Sequence, residues 1–365
     1  MALKPPVEVP QGAIRLNTDS QKLEFYAQDQ WWEMATHNIN MGGNGGPAAN
    51  PTGNSAEQGA GTRGIFGGGY GTAPHQHMNR IDYITVETQG NSVEFGDMIT
   101  ARSAKSGGAS RTRGLFTGGR FSPTSDGYNI IDYITMSSTG NTINFGDLSE
   151  RNPGMSGLSN QTRAVFAGGY TMPGQTYVNT VEYVTIATLG DAKDFGDVDY
   201  TGALHNFNNS GSSPTRGIWA GGRNPNTWFS EIYYKEIASL GNTLEFGDLT
   251  LDKANSANSM TSSTRMVCTG GTIGPPPGTT QMDYIEFATK GNAVKFGDHS
   301  FVKQACCSVS SPVRGVLYTG SDDSAQTNTL EYITIATQGD AIDFGDLGTL
   351  NRHYGAFSNA HGGLG

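Results

Sequence analysis

Apolar and polar residues alternate in short bursts along most of the chain. Ile81-Asp82-Tyr83-Ile84-Thr85-Val86 is one burst, and Ser92-Val93-Glu94-Phe95 is the next. Period-two patterning with β-branched and aromatic residues predicts strands. No stretch shows an apolar 3.6-residue period or a capping box, so no helix is expected. Thr88-Gln89-Gly90-Asn91 separates those two bursts, and Gly-Asn or Gly-Asp recurs at this place in every copy, which predicts a tight turn. An apolar burst, Arg63-Gly64-Ile65-Phe66, runs into Gly67-Gly68 and a polar loop. A fourth short segment precedes each Thr-Arg, as in Met155-Ser156-Gly157-Leu158-Ser159.

These bursts repeat. A Thr-Arg-Gly-like anchor begins at Thr62, Thr112, Thr162, Thr215, Thr264 and Val313, at intervals of 50, 50, 53, 49 and 49. A Phe-Gly-Asp anchor sits at Phe95, Phe145, Phe195, Phe246, Phe296 and Phe344, at intervals of 50, 50, 51, 50 and 48. Two anchors holding one period predict an all-β, six-bladed β-propeller with four strands per blade. The segment 354–359 matches the strand that normally precedes a Thr-Arg-Gly, yet none follows it. The stretch 55–60 matches that strand poorly. Closure of the ring by the C-terminal strand beside residues 63–67 accounts for both, and it removes the exposed edges of an open array.

The blade order resembles the kelch family of propellers: an apolar strand ending in Gly-Gly, then an apolar-acidic-Tyr strand, then a late aromatic. Gly168-Gly169, Glu182-Tyr183 and Phe195 show it in the third copy. The chain departs from kelch blades where those carry tryptophan and this one carries the Phe of Phe-Gly-Asp. The resemblance spans about residues 62–360 and implies a kelch-like fold.

Residues 1–37 read differently. The predicted elements are a strand, a turn at 17–20, a strand at 23–26, a second turn and a strand at 31–34. Gly12, Arg15, Asn17, Thr18, Leu23, Glu24, Tyr26 and Trp32 resemble a β-meander of phage tail-fibre and other virion proteins. The Asp-Tyr-Ile-Thr and Phe-Gly-Asp units resemble repeats in structural proteins of marine phages. So short a module buries no core of its own, which makes Phe25, Tyr26, Trp31 and Trp32 candidates for docking on other virion proteins. Residues 38–61, with Gly42-Gly43 and Gly45-Gly46, read as a Gly-rich linker to the propeller at 62–365.

Charge narrows the partners. Twenty-three basic residues against 33 acidic ones give a net charge of −10, with no basic stripe for nucleic acid and no apolar run long enough for membrane insertion. Met1-Ala2-Leu3-Lys4-Pro5-Pro6 shows no signal-peptide core. Cys268, Cys306 and Cys307, odd in number and partly adjacent, make no disulfide framework. They read as reduced, buried thiols of a chain that folds in a host cytoplasm. Glycine, at 52 residues, is about twice its usual ~7% share, as a turn-rich fold requires.

Candidate chemistry divides into scaffold and surface. Arg63, Arg113, Arg163, Arg216, Arg265 and Arg314 occur once per blade, as do Asp97, Asp147, Asp197, Asp248, Asp298 and Asp346. The match predicts a repeated Arg–carboxylate bridge within ~4 Å that locks the blades together. A channel-lining ring of arginines that binds an anion is the alternative. The loops after Gly-Gly (70–79, 120–129, 170–179, 223–230, 272–281 and 321–328) differ in every copy and project from one face. They carry Tyr70, His75, His77, Phe121, Tyr128, Tyr170, Tyr177, Trp228 and Phe229, residues suited to recognising glycans or proteins.

His75 and His77 lack further ligands near in sequence, and Asp322-Asp323 lacks the extra oxygens a hard cation needs. No metal and no cofactor is therefore expected. No nucleophile or phosphate-loop motif occurs, so no catalytic residue is assigned. The sequence thus points to a non-enzymatic virion structural protein, tail-associated, displaying its propeller for host attachment, with homo-oligomers on the particle open. Capsid (head) decoration and a polysaccharide-degrading propeller are the alternatives.

Overall fold

The computed structural model describes residues 13–17, 22–27, 30–33, 62–71, 76–103, 106–121, 126–174, 176–198, 209–224, 226–254, 256–257, 259–274, 278–301, 306–320 and 327–365. The chain divides into two compact units, Met1–Gly59 and Ala60–Gly365. The first contains an antiparallel three-stranded meander, Ile14–Asn17, Lys22–Ala27 and Gln30–Glu33. Phe25 is opposite Trp32 and Tyr26 opposite Trp31 in its register. The Tyr26 and Trp31 rings meet edge to face at 5.2 Å. The linker expected at 38–61, and the weak strand match at 55–60, lie outside the described residues.

The second unit is a six-bladed β-propeller. Blade 2 shows the plan: Ser106–Ala109 innermost, then Arg113–Thr117, Ile130–Thr135 and, outermost, Ile143–Asp147, all antiparallel. Blade 3 repeats it with Ser156–Ser159, Arg163–Ala167, Thr180–Thr185 and Lys193–Asp197. Blade 4 uses Asn209–Ser212, Arg216–Arg223, Trp228–Glu236 and Leu244–Asp248. Blade 5 uses Met260–Thr261, Arg265–Cys268, Gln281–Glu286 and Val294–Asp298. Blade 6 uses Cys306–Ser310, Arg314–Tyr318, Thr329–Thr334 and Ile342–Asp346.

Blade 1 is assembled from both ends of the repeat array. Its outer three strands are Arg63–Gly67, Arg80–Thr85 and Val93–Asp97, and its innermost strand is Gly355–Ser358. Gly355 pairs with Gly67 and Ser358 with Gly64. Ring closure by the C-terminal strand is thus the observed topology.

The core lies between blades. Phe66, Ile84 and Val86 of blade 1 pack with Val316, Leu330 and Phe344 of blade 6, and equivalent clusters fill the other blade junctions. Within each blade the third-strand tyrosine meets the Phe of Phe-Gly-Asp edge to face at 5.8–6.2 Å. Two backbone bonds stitch neighbouring outer strands: Gly140 N–H donates to Phe95 O and Thr142 N–H to Asp97 O, and the pattern recurs at all six junctions. The Gly of Phe-Gly-Asp is required by this approach: a Cβ on Gly146 would collide with the carbonyl oxygen of Gly190. Cys268, Cys306 and Cys307 are buried in the blades as thiols outside any disulfide.

The predicted Arg–Asp lock is not what the structure holds. Arg63 lies opposite Thr85, at the end of the third strand, whereas Asp97 lies opposite Arg80, at its start. Five residues of strand separate the two by about 16 Å, and the same holds in each blade. Asp97, Asp147, Asp197, Asp248, Asp298 and Asp346 therefore do not pair with the arginines. Their backbone N–H groups instead donate to the Asn or Asp side chain of the next blade's turn.

The arginines lock blades by another route. Arg63, Arg113, Arg163, Arg216, Arg265 and Arg314 each donate to a carbonyl of the following blade: Met136, Ile186, Ile237, Phe287, Ile335 and, closing the circle, Val86. Each guanidinium also stacks over its own blade's tyrosine at 4.4–5.1 Å. A guanidinium held in this way lines no channel.

Small residues line the channel, and serine hydroxyls bridge its strands. Ser159 Oγ donates to Ala109 O, Ser212 Oγ to Ser159 O, and Ser358 Oγ to Ser310 O. Residues 361–365 cap one mouth through the short 3-10 turn Gly362–Leu364. His361 sits in this cap. Its Nδ1 accepts from Gly363 N–H, and its Nε2 lies 3.1 Å from Ala109 O. The neutral ring, with its proton on Nε2, satisfies both.

Burial pushes His361 down from 6.5 to about 4. Between those values the unfolded chain binds more protons than the folded one, so stability present above pH 6.5 falls as pH drops toward 4. We expect the loss in urea midpoint between pH 7 and pH 4.5 to be smaller in His361→Gln than in the parent. Identical losses would show that this imidazole does not carry the acid sensitivity.

Candidate functional site

Antiparallel order fixes two unlike ends of the propeller. The loops joining second to third strands emerge at the same end as the connections between blades. The variable loops therefore share one face, and the stacked arginines belong to the other. On the loop face the second and third strands extend as two-residue ladders. Arg120–Phe121 pairs with Asp126–Gly127, Tyr170–Thr171 with Thr176–Tyr177, and Gly271–Thr272 with Gly278–Thr279. In blade 4 the extension is continuous with the main strands, placing Arg223 opposite Trp228 and Gly222 opposite Phe229.

Several predicted residues come together here. Tyr70 meets His77 edge to face at 5.0 Å. His77 lies 6.0 Å from Phe121, and Phe121 lies 6.1 Å from Tyr128. Rings from two blades thus form one run. Tyr170 and Tyr177 form a second pair at 5.8 Å, and the Arg120 side chain hydrogen-bonds Tyr170. Trp228 donates through Nε1 to Thr272 Oγ1 of the next blade and lies under the Arg223 guanidinium at 5.9 Å. Phe229 shares its hairpin. His75, Asp322 and Asp323 lie outside the described residues, as do the side chains of Phe25 and Trp32.

Two arginines that sequence reasoning missed complete the run. Arg352 comes from the C-terminal segment: Asn351–Arg352 pairs with Tyr70–Gly71, and the Arg352 guanidinium sits 5.3 Å from the Tyr70 ring centre. Arg120 follows a Gly-Gly pair directly, as does Arg223, and that placement was the available signal. Arg352 lies far from Tyr70 in sequence and becomes a neighbour only through ring closure.

His77 is held as a neutral ring. Its Nδ1 accepts from Ser103 N–H at 3.0 Å, which leaves the proton on Nε2. Burial, and next the Arg120 charge, push it from 6.5 to about 4. Burial likewise raises the Tyr170 phenol. At neutral pH the run therefore offers uncharged rings, one imidazole N–H donor and guanidinium groups. Such a set stacks on and hydrogen-bonds a ligand. Among the described residues no three His, Cys, Asp or Glu side chains gather in a metal-binding cluster, and no helix is long and apolar enough to cross a membrane.

No protein-family profile matches the chain, and no curated protein matches it at a significant level.

Proposed function

We propose that this protein is a structural component of a bacteriophage virion. In this reading it is held on the particle, at the tail, through residues 1–37, and it presents the propeller's loop face to the host surface. The observation that carries the recognition role is the run of rings from Tyr70 to Tyr128, assembled from two blades on the variable face. Scaffold residues recur in every blade, whereas this run does not, as expected of a face shaped by what it binds. The virion assignment rests on the residue resemblances of the N-terminal meander and of the repeats.

On this reading the protein works by binding and takes no cofactor. It assembles in the host cytoplasm and ends in the particle. Its partners are virion proteins and a host glycan or protein, not nucleic acid or a bilayer.

The test removes residues 1–37. The remaining chain is expected to purify as a folded propeller and to be missing from purified particles, measured by quantitative mass spectrometry. Incorporation at normal copy number would move the anchor onto the propeller and overturn this division of labour.

A further inference from the structure

We propose that Tyr70, His77, Phe121 and Tyr128, together with Arg352 and Arg120, form a binding strip for an acidic saccharide. The inference rests on the recognition reading above and gives that site its ligand class.

The first support is charge. Four arginines of this acidic protein pair with a carboxylate: Arg80 with Asp82, Arg102 with Asp132, Arg216 with Glu236, and Arg265 with Glu286. Arg63, Arg113, Arg163 and Arg314 are held instead by carbonyls of the next blade. Arg352 and Arg120 are half-buried, yet among the described residues neither pairs with a carboxylate. The Arg352 Nε is buried without a hydrogen-bond partner. What sets these two guanidiniums apart is their place, at the two sides of one ring pair on the loop face, where an anion from outside can reach them. The planar fork of arginine suits the two oxygens of a carboxylate.

The second support is the backbone. His353, directly after Arg352, has φ +65°, the sole non-glycine residue with positive φ among those described. Left-handed backbone at a non-glycine residue carries a cost that surrounding structure must hold in place. Here the Asn351–Arg352 pairing with Tyr70–Gly71 holds it, and the result is Arg352 laid against Tyr70.

The third support is the surface itself. The rings follow one another in steps of 5.0–6.1 Å. Phe121 is 47% exposed and is the one large apolar side chain the strip opens to solvent. A protein partner needs a broader apolar centre, within about 800 Å² per side. A pyranose needs less: its C–H face lies on a ring, its hydroxyl accepts from His77 Nε2–H, and its carboxylate takes the guanidinium.

The experiment uses the full chain with two probes, an alginate-derived hexuronate and the neutral maltohexaose, measured by calorimetry. Hexuronate is expected to bind and maltohexaose to bind at least about tenfold more weakly. Arg352→Gln and Phe121→Ala should each weaken hexuronate binding about tenfold or more, the size of one lost charged or stacking contact. Arg223→Gln, on blade 4, should leave it unchanged. All three residues are exposed or half-buried, and melting curves confirm that each variant folds.

Equal binding of the two probes, an unaffected Arg352→Gln, or no hexuronate binding overturns the proposal. Particles carrying Phe121→Ala separate this outcome from the recognition reading. If they lose adsorption while hexuronate fails to bind, the ligand class is wrong and recognition stands. Loss of adsorption on protease-treated cells would then identify a protein receptor. Unchanged adsorption removes the recognition reading itself.

Discussion

A chain ending after Asp346 is expected to lose the whole propeller, not one frayed end. The missing segment supplies the inner strand of blade 1 and, with it, Leu347, Tyr354, Phe357 and Leu364, each at most 6% exposed. Phe357 meets Phe116 of blade 2 at 4.7 Å, and Tyr354 meets Tyr318 of blade 6 at 5.0 Å. One segment therefore holds both neighbours of the junction. Burial of a large side chain contributes roughly 1.5–3 kcal/mol, so four of them contribute roughly 6–12 kcal/mol, comparable to the ~5–15 kcal/mol net stability of a domain. The loss also bares the Arg63–Gly67 edge, a template for strand pairing between chains.

The expected result is an aggregating chain without a cooperative melt, seen by circular dichroism and light scattering. Hydrogen exchange should show protection lost in blades 2 and 6 as well as in blade 1. A chain ending after Asn359, which keeps the strand and loses only the channel cap, should melt cooperatively below the parent. If the chain ending after Asp346 melted like the full protein, the closing strand would not be what holds the ring.

Ring closure was legible because it is a matter of counting. The 50-residue period and the unmatched strand at 354–359 are visible to anyone aligning the copies. The partner of each arginine was not. One Arg and one Asp per repeat invites pairing, but composition ignores register, and the register puts them at opposite ends of the same sheet. The alternation of strand directions, followed through from Arg63 to Asp97, already separates them. The stacking of each arginine on the tyrosine of Asp-Tyr-Ile-Thr follows from the same register, since Ile65 is opposite Tyr83 and Arg63 lies two residues before it on the same side.

The site was half legible. Aromatic residues in loops that vary between copies drew attention to one face, and four of them proved to be neighbours. Arg352 could not be placed there, because its closeness to Tyr70 arises from joining distant ends of the chain. The buried charges Arg102 and Lys253 were also missed. A signal for them existed: each lies five residues after the Asp of a Phe-Gly-Asp, and the blade that follows carries Asp132 or Asp283 at the acidic position of its third strand. Glu182 and Glu331, at the same position in other blades, accept from the backbone N–H groups of Ser149 and Ser300.

These two ion pairs set the second large effect. Arg102 Nη2 lies 3.0 Å from Asp132 Oδ2, and Lys253 Nζ lies 2.9 Å from Asp283 Oδ2, with all four side chains fully buried. Burial pushes the Asp132 carboxyl up and the Arg102 guanidinium down, and their mutual attraction opposes both shifts. Removing one partner strands the other. Arg102→Met should cost on the order of 3–5 kcal/mol, because Asp132 keeps its desolvation and loses its counter-ion. Asp132→Leu alone should cost a similar amount by stranding Arg102.

The double variant, Arg102→Met with Asp132→Leu, should recover most of that loss, since a buried pair and an apolar replacement of like volume are often close in stability. Urea denaturation of the four proteins forms the cycle that measures it. A single variant costing under ~1 kcal/mol would mean that water reaches the pair and that its burial is not what makes it matter. A double variant as damaged as either single one would mean that the site demands its hydrogen bonds, from Arg102 to Thr100 and from Thr142 to Asp132. In that case the pair acts by fixing the connection between blades 1 and 2 rather than by neutralising charge.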